Sequence, residues 1–231
     1  GSKLQYIGST NEVLVRFHDG VVDDKSIVKL NSIFAVHGGV VKKTEYVGSE
    51  VGKKLADEGA VAVLVAILAT MLYIAARFEY RLAVSAAIGL THDALIIVGV
   101  FALLQIEFDL AALASILAVI GYSLNDTIVV FDRLRENFKM SKRGAPEEIV
   151  NISLNQTLSR TIMTSFLTLL VVVALLLFGG DSLFGFSLAL FIGITVGTYS
   201  SIYVASSIAL KLGLSRADIL AKSQNIVDKL P

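Results

Sequence analysis

Asp126 and Arg160 are the residues whose types and positions point most directly to chemistry. Asp126 lies in a long apolar stretch, Leu110 to Phe131, and Arg160 lies just inside the next one, Gln156 to Phe178. A charge at membrane depth costs on the order of 2.5–3.5 kcal/mol on insertion scales unless it faces protein or water. Chains keep such charges to move protons or ions, or to hold two helices together. Asp126 is six residues from Asp132, where the apolar stretch ends, which places it about 9 Å inside along a helix. Arg160 is about four residues into a span entering from the same side, so the two side chains meet if their helices are neighbours. Tyr122, Ser123, Asn125, Asp126 and Thr127 cluster around the carboxyl. Gln156, Arg160, Thr164 and Thr168 recur at helical spacing, with Thr157 and Thr161 beside them. Such a stripe can line a hydrated path, and a buried ion pair that fixes helix register is the alternative.

Two further residues are candidates. Asp93 lies near the middle of its own span with His92 beside it. His92 is a possible proton relay because imidazole titrates near neutral pH. A plain interhelical hydrogen bond is the simpler role. Adjacent helical residues point about 100° apart, so the two are not expected to face one site closely. Asp93 and Asp126 also raise an intramembrane aspartyl protease, in which two carboxyls share a proton. Arg160 near Asp126 argues against sharing, because a cation favours the ionised form, and the run Gly121 to Asp126 lacks the Gly-x-Gly-Asp pattern of such enzymes. No HExxH, GxxxxGK[ST] or GxSxG is present. Nothing indicates an enzyme, a cofactor or a metal. The transmembrane potential, about 2.3 kcal/mol per charge per 100 mV, is the available energy source.

The elements that must position these residues follow from composition. Of 231 residues 55% are hydrophobic, and the mean hydropathy is +0.73, above the usual soluble range. Twenty basic residues balance twenty acidic ones, which suggests no nucleic-acid partner, and the absence of Cys excludes disulfides and thiolate metal sites. Gly1-Ser2 reads as an expression scar, so the natural start is expected upstream. Residues 1–55 read as soluble: Glu12 to Phe17 alternates like a strand, and Asp23 can cap a helix striped by Ile27, Leu30, Ile33 and Phe34. Gly38-Gly39 stops that helix, and Val40 to Val47 reads as a second strand. This is a partial α+β domain, too small to bury a core alone.

From residue 56 to 212 the chain reads as a helical membrane bundle. Apolar runs at Ala60–Ala76, Leu82–Leu104, Leu110–Phe131, Leu158–Phe178 and Leu183–Leu210 make about five spans. Arg77, Arg81, Arg133, Arg135, Lys139, Lys142, Arg143, Lys211 and Arg216 all fall at one set of span ends, and the turns 105–109 and 179–182 carry no Lys or Arg. The positive-inside rule makes the loop 132–155 and the tail 213–231 cytoplasmic and the N-terminal part external. In the last span Gly185, Ala189, Gly193, Gly197, Ser201, Ala205, Ala209 and Gly213 repeat every four residues. Such a stripe lets another backbone approach closely, for static packing or as a seam along which helices slide.

The run GYSLNDTIVVFDRLREN, Gly121 to Asn137, closely resembles the signature of the SecF branch of the SecD/SecF family, in the resistance-nodulation-division superfamily. Arg77-Phe78-Glu79, His92-Asp93, Gln156-Thr157-Leu158 with Arg160-Thr161 and Thr164-Ser165, and Gly197 to Ile202 match as well. Ser49 in Val47 to Gly52 stands where the family commonly has Pro. The resemblance runs from about Leu4 to Lys211 and is weak in the first 45 residues. It implies a six-span protein of the bacterial inner membrane, with one span and part of an external domain upstream of this chain.

It also implies a mechanism. Asp126 and Arg160 match residues implicated in proton transport, and a further Asp comes from SecD. Proton flow through the SecD–SecF interface would drive external-domain movements that pull preprotein outward from SecYEG. SecD, SecYEG and preproteins are the implied partners, with YajC and YidC as further candidates and lipid around the bundle. His92, Asp93, Asn125, Thr127, Gln156 and Thr164 are the supporting polar residues, and Gly185, Gly193, Gly197 and Ser201 the packing residues. The alternatives are a proton-coupled small-molecule exporter of the same superfamily and a purely structural translocon subunit.

Overall fold

The computed structural model describes residues 2–6, 13–17, 24–36, 39, 49–106, 108–141 and 144–220. The chain divides into two units, residues 1–54 and 55–231. In the first, β1 (Ser2–Tyr6) pairs antiparallel with β2 (Val13–Phe17), Leu4 opposite Val15, and α1 (Asp24–Val36) follows. β2 and α1 fall where alternation and helical spacing place them. β1 escapes that reading because SKLQY has only two large apolar side chains. The expected strand at 40–47 lies outside the described residues.

The second unit is an all-helical bundle. α2 (Ser49–Arg77), α3 (Tyr80–Leu103), α4 (Leu110–Met140) and α5 (Pro146–Phe178) precede α6 (Asp181–Tyr199), which continues through a π-helical turn at Ser200–Val204 into α7 (Ala205–Lys211). Among the described residues five helices, counting the last three segments as one, are long and apolar enough to cross a membrane. The expected loop 132–155 is mostly helix. α4 runs to Met140, and α5 starts at Pro146, whose missing N–H and fixed φ suit a first turn. Hydropathy marks where a helix leaves an apolar solvent, not where it ends. At 33 residues α5 is about 50 Å long against a hydrocarbon core of about 30 Å.

Local signals set the helix ends. The Asp109 carboxylate accepts from the Ala112 N–H at 2.8 Å and caps α4, and the Glu79 carboxylate accepts from the Arg81 N–H at 3.0 Å and caps α3. Glu79 is buried, and desolvation pushes its carboxyl above the ordinary value. The start of the expected tail is not free. Gly213, at φ +77°, closes the last helix, and Leu214 and Ile219 bury themselves against the bundle. Asp218 accepts from the Ser215 N–H at 3.1 Å and pairs with Arg81, which also donates to the Gly213 carbonyl at 2.8 Å.

The interior is layered. One apolar cluster joins Phe78, Leu82, Phe131, Leu134, Phe138 and Ala209 at the end where the basic residues lie, with Phe78 and Phe131 edge-to-face at 6.1 Å. A second joins Leu90, Ile97, Phe101, Ile116, Val119 and Ala189 toward the other end. Lipid is as apolar as these side chains, so close packing rather than water exclusion holds them together. The small-residue stripe supplies that packing. Ala189, Gly193, Gly197, Ser201, Ala205 and Ala209 are buried, Gly185 is half-buried and Gly213 is exposed. A Cβ on Gly193 would collide with Val119 Cγ2 and stand 3.0 Å from Ile97 Cδ1. Four-residue spacing overshoots the helical turn by about 40° per step. The stripe accordingly passes from Val119 and Ser123 of α4 to Gly89 of α3, where a Cβ would stand 3.7 Å from the Ala205 Cβ.

Candidate functional site

Between the two apolar clusters lies a polar layer drawn from four helices. α3 contributes Asp93, α4 Ser123, Asp126 and Thr127, α5 Thr161 and Ser165, and the last span Ser200 and Ser201, all buried. Small hydroxyl residues on membrane helices let backbones approach and still find acceptors across the interface. Asp126 is 3% exposed and accepts a long hydrogen bond, 3.4 Å, from Ser165 Oγ. Ser165 Oγ in turn lies 2.7 Å from Thr198 Oγ1, which donates to it or to the Ile194 carbonyl. Thr127 Oγ1 donates to the Ser123 carbonyl at 2.9 Å. The Thr161 hydroxyl, one turn before Ser165, is buried without a partner among the described residues.

Asp126 and Arg160 form no ion pair within 4.0 Å, although α4 and α5 pack together and the guanidinium lies within electrostatic reach of the carboxyl. Asp126 faces the interior, whereas Arg160 is exposed on the outer face of α5. Asn125, Gln156 and Thr164 are exposed as well. Thr168 is half-buried and accepts from Tyr122 OH at 3.2 Å, and Gln156 Oε1 accepts from Asn137 Nδ2 at 2.8 Å. The α4–α5 face thus carries a polar strip at membrane depth. Helical spacing identified that outer strip. It also marks Thr157 and Thr161, but not the buried strip to which they belong, Ser153, Thr157, Thr161 and Ser165, which has the same four-residue spacing one position over.

Asp93 is the more enclosed carboxyl, 1% exposed. Ser123 Oγ donates to its Oδ2 at 2.9 Å. His92 Nδ1 lies 3.1 Å from Asp93 Oδ1. The two neighbours do meet, contrary to the 100° expectation: two side chains on adjacent positions reach each other although their Cα–Cβ directions diverge. Gly197 completes the enclosure: a Cβ there would sit 3.2 Å from Ser123 Oγ and 3.4 Å from Asp93 Oδ2. Asp93 and Asp126 share no hydrogen bond among the described residues, and each has its own hydroxyl donor.

Residues 29–215 match the family described as protein export membrane protein SecD/SecF, C-terminal. The protein translocase subunit SecF of Vibrio alginolyticus is 49% identical over 224 residues, which cover 94% of this chain and 70% of that protein. Its counterpart from Pseudomonas aeruginosa is 46% identical, covering 99% and 76%. Among solved structures, SecDF from Thermus thermophilus, a translocon-associated membrane protein, superposes with a TM-score of 0.77 at 42% identity. That match covers 87% of this chain and 28% of the longer SecDF chain.

Proposed function

The chain belongs to the SecF family of protein translocase subunits and serves protein export, and we propose that it does so by passing protons at Asp126 to draw on the proton-motive force. The observation that supports this most is Asp126 itself. It is a carboxyl buried in the bundle with one long hydroxyl contact and no ion pair among the described residues. A carboxyl kept only to fix helix register would sit against its cation, since an unpaired buried charge is destabilising by about 3–5 kcal/mol. A proteolytic dyad needs two carboxyls on one proton, and these two have separate partners. Arg160 and the outer polar strip favour a second subunit over this face. A guanidinium does not rest against lipid without cost, and a carboxylate from SecD would answer it.

In this reading Asp126 gains and loses the proton, Ser165 orients its carboxyl, and Arg160 supplies the positive field that opposes a proton lingering there. Tyr122, Asn125, Gln156 and Thr164 would line the wet side of the route. The basic helix ends would lie in the cytoplasm of an inner-membrane protein, and residues 1–54 outside it. SecYEG would be the channel from which preprotein is drawn, with YajC and YidC as neighbours. The test is export into sealed vesicles containing SecD, with SecA and ATP present, with and without an imposed proton gradient. Asp126→Asn should assemble with SecD and lose the response to the gradient. A retained response would refute the assignment.

A further inference from the structure

Two carboxyls on different helices both reach one stretch of the last span, the place where it changes from α- to π-helical pairing. From α4, Asp126 connects through Ser165 to Thr198. From α3, Asp93 packs on Gly197, three residues before the turn, where a Cβ would sit 3.4 Å from its Oδ2. The Ser201 hydroxyl donates to the Thr198 carbonyl at 3.2 Å, and the Ala205 N–H bonds to the Ser200 carbonyl five residues back, which makes the turn π-helical. Asp93 also holds α4 itself, because it binds Ser123, three residues before Asp126. π-helical turns are rare and concentrate at functional sites. Closing such a turn to α-helical pairing changes the register by one residue, which rotates the helix beyond it by about 100°.

We propose that Asp93 is a positioning residue for the Asp126 site, and that the two carboxyls jointly hold the turn Ser200–Val204, so that a change of charge at Asp126 is passed through Ser165 and Thr198 to α7. The proposal rests on the reading of Asp126 as the proton carrier. Asp93 holds its side of the turn as a hydrogen-bond acceptor and need not change its own proton. The geometry separates the two roles. Ser123 donates to Asp93 at 2.9 Å in a site that Gly197 closes, whereas the Asp126 contact is long and lies beside the polar face.

The chain has no Cys, so Ser207→Cys, on an exposed position just past the turn, takes a single spin label in the complete complex with SecD in vesicles. Asp126→Asn is expected to shift the label's spectrum, and Ser165→Ala to abolish that shift while Ser165→Thr, which keeps the hydroxyl, restores it. Asp93→Ala is expected to lose gradient-driven export, and Asp93→Asn, which still accepts from Ser123, to keep most of it. An inactive Asp93→Asn would make Asp93 a proton carrier and overturn the positioning role. If Asp126→Asn abolishes the gradient response but leaves the label's spectrum unchanged, the turn is not the responding element. The coupling is then wrong while the function stands. If Asp126→Asn keeps the gradient response, the functional reading fails and takes this proposal with it. Should Asp93→Ala not assemble, the Ser165 pair still decides the coupling.

Discussion

Asp126 and Arg160 stand in opposite environments, one turned into the bundle and one out of it. The sequence places both at membrane depth, and nothing in their spacing shows on which side of its helix each points. That is decided by the neighbouring small residues. Ser123, Thr127 and Ser165 accept close packing, which turns Asp126 inward, and Arg160, one residue from buried Thr161, is left outside. Glu79 offers a test at this scale outside the spans. Its carboxyl is pushed above the ordinary value by burial, so the fold binds its proton more tightly than the unfolded chain does. The stability this lends is complete below the ordinary glutamate range and is lost as pH rises through the folded value. Glu79→Gln keeps an acceptor for the Arg81 N–H and has no proton to lose. Thermal unfolding in detergent across pH 4 to 8 should show a declining Tm for wild type and a flatter profile for the variant. Parallel profiles would contradict the burial argument.

At the scale of the element, the last span is the most constrained. The repeat of small residues every fourth position is legible in the sequence and does face inward from Ala189 to Ala209. The π-helical turn is not legible, because its five residues SSIYV carry no signal that separates i→i+5 from i→i+4 pairing. The helix ends are not legible for the same kind of reason: past Phe131 and before Leu158 the sequence turns polar, and polarity does not distinguish helix from loop. The stripe makes a prediction. Gly193→Leu drives a branched side chain into Val119 and Ile97. Overpacking of this kind costs about 1–3 kcal/mol or more. Gly197→Leu does the same against Ser123 and Asp93. Both variants should lose copurification with SecD, and wild-type recovery of both would mean the stripe is not a packing seam.

For the whole molecule, alternating helices bring the basic ends to one side, where an Arg77–Asp132 ion pair at 2.9 Å joins α2 to α4. Arg81 there pins the segment after the last span through Asp218. The charge pattern accounts for the gathering of these ends but not for the docking of residues 214–220, since Leu214 and Ile219, the two that are buried, are separated by Ser215, Arg216 and Asp218 and do not read as a buried face. Single cysteines at Ser141, which caps α4, and at Ser182, in the first turn of α6, flank α5 and should react from opposite sides of sealed vesicles, Ser141 from the cytoplasmic side. Labelling of both from one side would sink the topology.

The Asp126→Asn, Arg160→Met double variant separates a proton carrier at Asp126 from a structural charge. Its gradient-dependent export should be measured in vesicles with SecD, SecA and ATP. Removing both charges leaves neither of these two side chains ionised and unpaired, and copurification with SecD checks that the complex assembles. This assembled complex should gain nothing from an imposed proton gradient. A double variant that responds to the gradient as wild type does would contradict a proton carrier at Asp126.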